Sequence, residues 1–147
     1  MISSLKLIFN RDLESLQKEI EAYNPESHLW RVEGQIKNSA GNLALHLCGN
    51  LQHYIGTILG ETGYQRDRPA EFSLKDVPIE TLVEQIQTTQ KVISSTLAKY
   101  NDQDLDQPYP KPFKPDAPGT IRYYLLHLTT HLGYHLGQVN YHRRLIG

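Results

Sequence analysis

Apolar residues recur at intervals of three and four along four stretches of the chain, and strict alternation occurs nowhere. Leu5, Ile8 or Phe9, Leu13, Leu16 and Ile20 mark one face of a helix from about Ser3 to Tyr23, closed by Pro25. A polar connector carrying Trp30 follows, and "KNS" supplies a start signal with Asn38 or Ser39 as the cap. The second helix is predicted from about Ala40 to Gly60, with Leu43, Leu47, Leu51, Tyr54 and Ile58 on its core stripe. "ETGYQRDRPAEF" reads as a loop by its glycine, proline and charge content. A third helix begins near Asp76, with Pro78 in its first turn, continues through Leu82, Ile86, Ile93 and Leu97, and ends at Asn101. Five prolines in "DQPYPKPFKPDAPG" demand an extended, irregular crossing. Thr120 then caps a final helix whose stripe is Ile121, Leu125, Leu128, Leu132, Val139 and Ile146. The expectation is an all-α four-helix bundle forming a single domain over residues 1–147.

Composition narrows the function classes. The 147 residues are 39% apolar and 21% charged with a formal net charge of -1, ordinary for a globular protein. That balance supplies no basic field for nucleic acid. No apolar run approaches the roughly 20 residues needed to cross a bilayer, so no membrane partner is expected. The opening "MISSLKLIFNRDLESLQ" has a short apolar patch broken by Lys6 and is not read as a signal peptide. One cysteine, Cys48, cannot form an internal disulfide, and the simplest home is a reducing cytoplasm. It is expected to be a small buried residue and not a ligand.

The histidines change the picture. "HLTTHLGYHLGQ" places His127, His131 and His135 four residues apart on the final helix. Positions four apart lie within roughly 40° on a helix, so His131 and His135 can aim at one point, toward the bundle interior. Two ligands do not close a site, and a bare HxxxH pair is more often plain structure. The second helix offers a third imidazole in "NLALHLCGNLQHY". His46, flanked by Leu43, Leu47 and Leu51, is the deeper choice, with His53 and His127 in reserve. His28 and His142 read as surface or tail residues. Three neutral imidazoles leave coordination positions open, the pattern of a catalytic metal site, and imidazole ligands suit Zn or Ni. There is no HExxH, so a glutamate base of the zinc-protease kind is unsupported. Asn50, one turn beyond His46, and Gln138, three residues beyond His135, are candidate supporting or substrate-binding groups.

These same segments carry a family likeness. With "NSAGNLALHLCGNLQHYIG", "RDRPAEF" and "HLTTHLGYHLGQVNYHRRL", the chain resembles the DinB-like superfamily of small metal-binding four-helix proteins, and in particular one of its uncharacterised branches. The resemblance implies that one histidine of the second helix and the HxxxH pair of the last bind metal, which correspond to His46, His131 and His135. It further implies a metal-dependent thiol S-transferase or isomerase, because characterised relatives use mycothiol, bacillithiol or glutathione-like thiols. The partners would then be a low-molecular-weight thiol and a small electrophile. The alternative is a non-catalytic module that binds metal or a small molecule. The chain departs from the frequent "HHRGQ" ending, reading "YHLGQ" with Leu136 in place of arginine and Tyr134 in place of histidine.

Arg66, Arg68 and Glu71 offer a solvated local ion pair, or an arginine that meets a substrate carboxylate. Gly49, Gly56, Gly60, Gly133 and Gly137 are costly inside helices, and close helix approach, within the bundle or in a homodimer, would compensate.

Overall fold

A computed structural model describes residues 1–147. Helix α1 spans Ile2–Glu21, α2 Ala40–Leu51, α3 Ile58–Gly60, α4 Arg68–Ser73, α5 Ile79–Leu97 and α6 Ile121–Ile146, with short 3-10 turns at Glu26–Trp30 and Asp104–Asp106. There is no sheet; one isolated bridge joins Pro108 to Thr120. The four long elements form a ring: α1 packs on α5 and α6, and α2 packs on the same two from the opposite side. Each buries its own apolar stripe, so 28 residues make one continuous core, the non-directional driving force behind the arrangement. No helix is long and apolar enough to cross a membrane.

The predicted stripes of α1, α5 and α6 are the buried ones, with Phe9 and not Ile8 at the alternative position. Ser39 caps α2 by accepting from the Asn42 amide, and Thr120 caps α6 by accepting from that of Tyr123. The rod from 40 to 60 differs from expectation at its middle. Residues Gln52–Thr57 form a π-helical turn, so the buried apolar positions after Leu51 are Ile55 and Leu59 and not Tyr54 and Ile58. A π turn takes one extra residue, which slips the stripe by one position. The rod ends at the expected place, where Glu61 turns left-handed with φ 52°.

Two boundaries also move. α5 starts at Ile79 with Pro78 as its cap residue and ends at Leu97, so Pro78 stands just outside the first turn and the residues after Leu97 are turn. Part of the expected loop is α4. Asp67 caps it by accepting from the Ala70 amide, and Pro69 occupies its first turn, a start signal of the ordinary kind. α4 is held on α2 by Asn42, which is buried and uses its whole amide. Its Nδ2 donates to the carbonyls of Glu71 (3.0 Å) and Leu74 (2.8 Å), and its Oδ1 accepts from Ser39 Oγ (2.8 Å) and Lys75 Nζ (2.6 Å).

Candidate metal centre

α2 and α6 lie side by side, and that contact brings three histidines together. The ligand atoms of His46, His131 and His135 all fall within 4.8 Å of one another. His46 Nε2 is 3.2 Å from His131 Nε2. Two nitrogens bound at about 2.0–2.1 Å to one tetrahedral Zn would stand roughly 3.3 Å apart, so this pair already has the right separation. The other ring pairs are close and nearly perpendicular: His46 to His135 has centroids 5.2 Å apart, and His131 to His135 4.6 Å.

The outer ring atoms show which nitrogens are free. His46 is 6% exposed, and its Nδ1 lies 3.0 Å from Glu71 Oε1. A carboxylate can only accept, so Nδ1 carries the hydrogen and Nε2 presents its lone pair to the cluster. His135 repeats the device with Nδ1 2.7 Å from Gln138 Oε1. Its Nε2 is thereby left as an acceptor. His131 has a buried Nδ1 with no partner, and in the absence of a cation one hydrogen can bridge its Nε2 to that of His46. The donor set therefore fits one divalent cation of the kind imidazole prefers.

Glu71 is the group the sequence reading missed. The ion pair with Arg66 exists, but it is not solvated: Glu71 is buried, and the Arg66 side chain keeps only 10% of its surface in water. Arg66 Nε donates to Glu71 Oε2 at 2.8 Å and Nη2 to Oε1 at 2.9 Å, a two-pronged grip. Burial pushes the Glu71 carboxyl up, and the hydrogen bonds from His46 and Arg66 outweigh that, holding it below the ordinary carboxylate value. It is a fixed anion with both oxygens committed. A signal for it was present in Gly49: a Cβ there would lie 1.9 Å from Glu71 Oε2.

Arg68 lays its guanidinium 5.3 Å from the Phe72 ring centre, and Phe72 itself packs on His46. Asn50 is buried with its Oδ1 unpartnered. His127 stacks on Tyr123 and meets Phe113, while His53 packs on Tyr54; neither joins the cluster of three. Leu136 packs against the core. Cys48 is buried and stays outside the ligand set, its thiol pushed up to about 12 by burial. His142 corrects the surface reading: it is 4% exposed. Its Nε2 lies 2.8 Å from the Arg31 carbonyl and its Nδ1 2.6 Å from Tyr23 Oη, so both nitrogens are satisfied inside the fold. Gly49, Gly56 and Gly60 face Glu71, Val92 and Thr96 of the same chain. Close approach within the bundle thus accounts for these three of the five glycines singled out from the sequence.

Burial, helped by His135 and His46, depresses the His131 imidazole from 6.5 to about 4, and burial likewise lowers His135. The unfolded chain therefore binds protons near pH 6.5 that the folded, metal-free chain refuses. Its stability is fully present above that pH and declines as pH falls toward 4. The melting temperature of chelated protein should drop between pH 7 and 5, and His131→Asn should flatten that slope. A slope identical in the two proteins would contradict the assignment.

A family model described as the DinB superfamily matches residues 8–139, which include all three histidines, Arg66 and Glu71. No curated protein and no solved structure matches the chain.

Proposed function

The chain belongs to the DinB superfamily, and from that membership and the site's geometry we propose that His46, His131 and His135 hold one Zn or Ni ion in a thiol S-transferase or isomerase. The observation that carries the reading is the convergence of three imidazoles, two of them fixed in tautomer by Glu71 and Gln138. A divalent ion on three neutral nitrogens keeps its full charge and open positions, and lowers the pKa of a thiol bound there.

The protein's own residues define what remains to be done. Glu71 and Arg66 hold His46 in place and have no free oxygen with which to take a proton. No carboxylate stands ready as a base, which favours a substrate that arrives with an acidic proton of its own, as a thiol does. Gln138 fixes the His135 ring through its carbonyl oxygen. His127, half-buried on the next turn of α6, has its imidazole lowered by burial and by Lys114. It is therefore neutral near pH 7 and can accept a proton at the edge of the centre.

The competing reading is a binding module without turnover. It is favoured by Leu136, which packs against the core where many relatives carry arginine, and so brings no cation to the centre. Cobalt substitution separates the two. With a panel of low-molecular-weight thiols, the Co-loaded protein should develop a thiolate charge-transfer band, absent in His131→Ala. No band with any thiol would retire the transferase reading and leave the binding module.

A further inference from the structure

Beside the histidine cluster lies a pocket of about 620 Å³ that the ligand set does not use. It opens between the connector ahead of α2 and the last turns of α6. Its volume falls in the range of small-molecule sites, roughly 300–1,000 Å³. Its walls are apolar: Leu43 from α2, Ile36 from the connector, and Leu145 with the Tyr141 ring from α6. Tyr141 and Leu145 are each 73% exposed, so the pocket is bordered by apolar surface that the fold leaves in water.

Helix register places the pocket against the metal centre. Leu43 precedes His46 by three residues, and Gln138 follows His135 by three, so one end of the pocket is a single turn from the cluster. Gln138 belongs to both, lining the pocket while accepting from His135. From Gln138 to Leu145 is seven residues, or roughly 10 Å along the helix axis. The far end meets the connector where His142 Nε2 contacts the Arg31 carbonyl.

Charge fixes the class of occupant. Among the nine lining residues there is no acid, and Lys37 is the only formal charge. Lys37 and Asn38 immediately precede the Ser39 cap of α2, so the positive end of that helix dipole adds to the lysine. His142 contributes a wall and no free nitrogen, because both of its ring atoms are engaged.

We propose that this pocket binds an amphiphilic organic anion, with its head at Lys37 and its apolar body running toward Gln138. That the far end of the body then meets the reacting centre rests on the proposed function; the binding itself does not.

The test uses the full chain, as purified and again after chelation, with octanoate, octanol and octylamine as calorimetric titrants. Octanoate should bind in both preparations, at least tenfold more tightly than the alcohol or the amine. Lys37→Glu and Leu145→Glu alter exposed side chains, so they leave the fold intact, and each should weaken octanoate at least tenfold. Equal binding of octanol, an unchanged affinity in both variants, or no binding of octanoate would each overturn the proposal. Octanoate binding to a chain that takes up no divalent ion even when supplied with it would sustain the pocket while removing the metal reading, so the two failures are distinguishable.

Discussion

Gly49→Ala should destabilise the metal-free protein by about 2–4 kcal/mol, although the same change in an open helix stabilises by up to about 1 kcal/mol. The sign reverses because of what the methyl group meets. Glu71 Oε2 lies 1.9 Å, and its Cδ 2.7 Å, from the new Cβ. That carboxylate cannot swing aside freely, since Arg66 holds both oxygens and His46 Nδ1 holds one. Moving it strains a largely buried ion pair, and breaking such a pair typically costs several kcal/mol. Gly137→Ala is the matched control, because nothing lies within 4 Å of a Cβ there, and it should be neutral or stabilising. Urea denaturation of both variants gives the comparison. If Gly49→Ala stabilised the protein as Gly137→Ala does, the Glu71 arrangement would be wrong. The same variant should also bind metal more weakly, by roughly 10- to 100-fold, the usual cost of losing a ligand's outer hydrogen-bond partner.

Asn42→Ala is expected to cost a further distinct 2–4 kcal/mol, roughly, from the buried groups it leaves without partners. The carbonyls of Glu71 and Leu74 lose their donors, and Ser39 Oγ and Lys75 Nζ lose their acceptor. Each buried orphan costs about 1–3 kcal/mol, and water reaching Leu74 and Lys75 offsets part of the total. Asn42 is 1% exposed, so the truncation also opens a void. Asn10→Ala is the contrast: that amide pairs with Glu14 and Gln90 at the surface, and its loss should stay within about 0.5 kcal/mol. Because Asn42 is what holds the Glu71 segment on α2, its removal should weaken metal binding as well. A cost below about 1 kcal/mol would show that α4 is held by other means.

The sequence made the long helices legible because each must bury a stripe, and a stripe leaves a period of three and four. It made the histidine trio legible for the same reason: Leu43, Leu47 and Leu51 fix the azimuth of His46, and Leu128 and Leu132 that of His131. What it hid were departures from that period and contacts that cross it. The π turn at Gln52–Thr57 adds one residue to a ladder, and Tyr54 is apolar enough to pass for the core position that Ile55 fills. α4 is six residues long, too short to show a period, and only its Asp67 cap and Pro69 betrayed it. Glu71 looked like surface because charged residues usually are. Gly49 was the counter-signal, but a glycine inside a helix announces a close neighbour without saying which. His142 continues the α6 stripe three residues past Val139, yet its nearness to the terminus suggested a tail. Its burial depends on the Arg31 carbonyl and the Tyr23 hydroxyl, contacts far apart in sequence that no local pattern reports.

Elemental analysis of the purified chain and its single-histidine variants tests the central claim most directly. Wild type should carry one divalent ion per chain. His46→Ala, His131→Ala and His135→Ala should each lose it, with affinity down by more than about 100-fold, beyond what losing an outer partner produces. His28→Ala and His53→Ala should retain it. Equal metal content across all five variants, or none in the wild type after metal supply, would contradict the three-histidine centre.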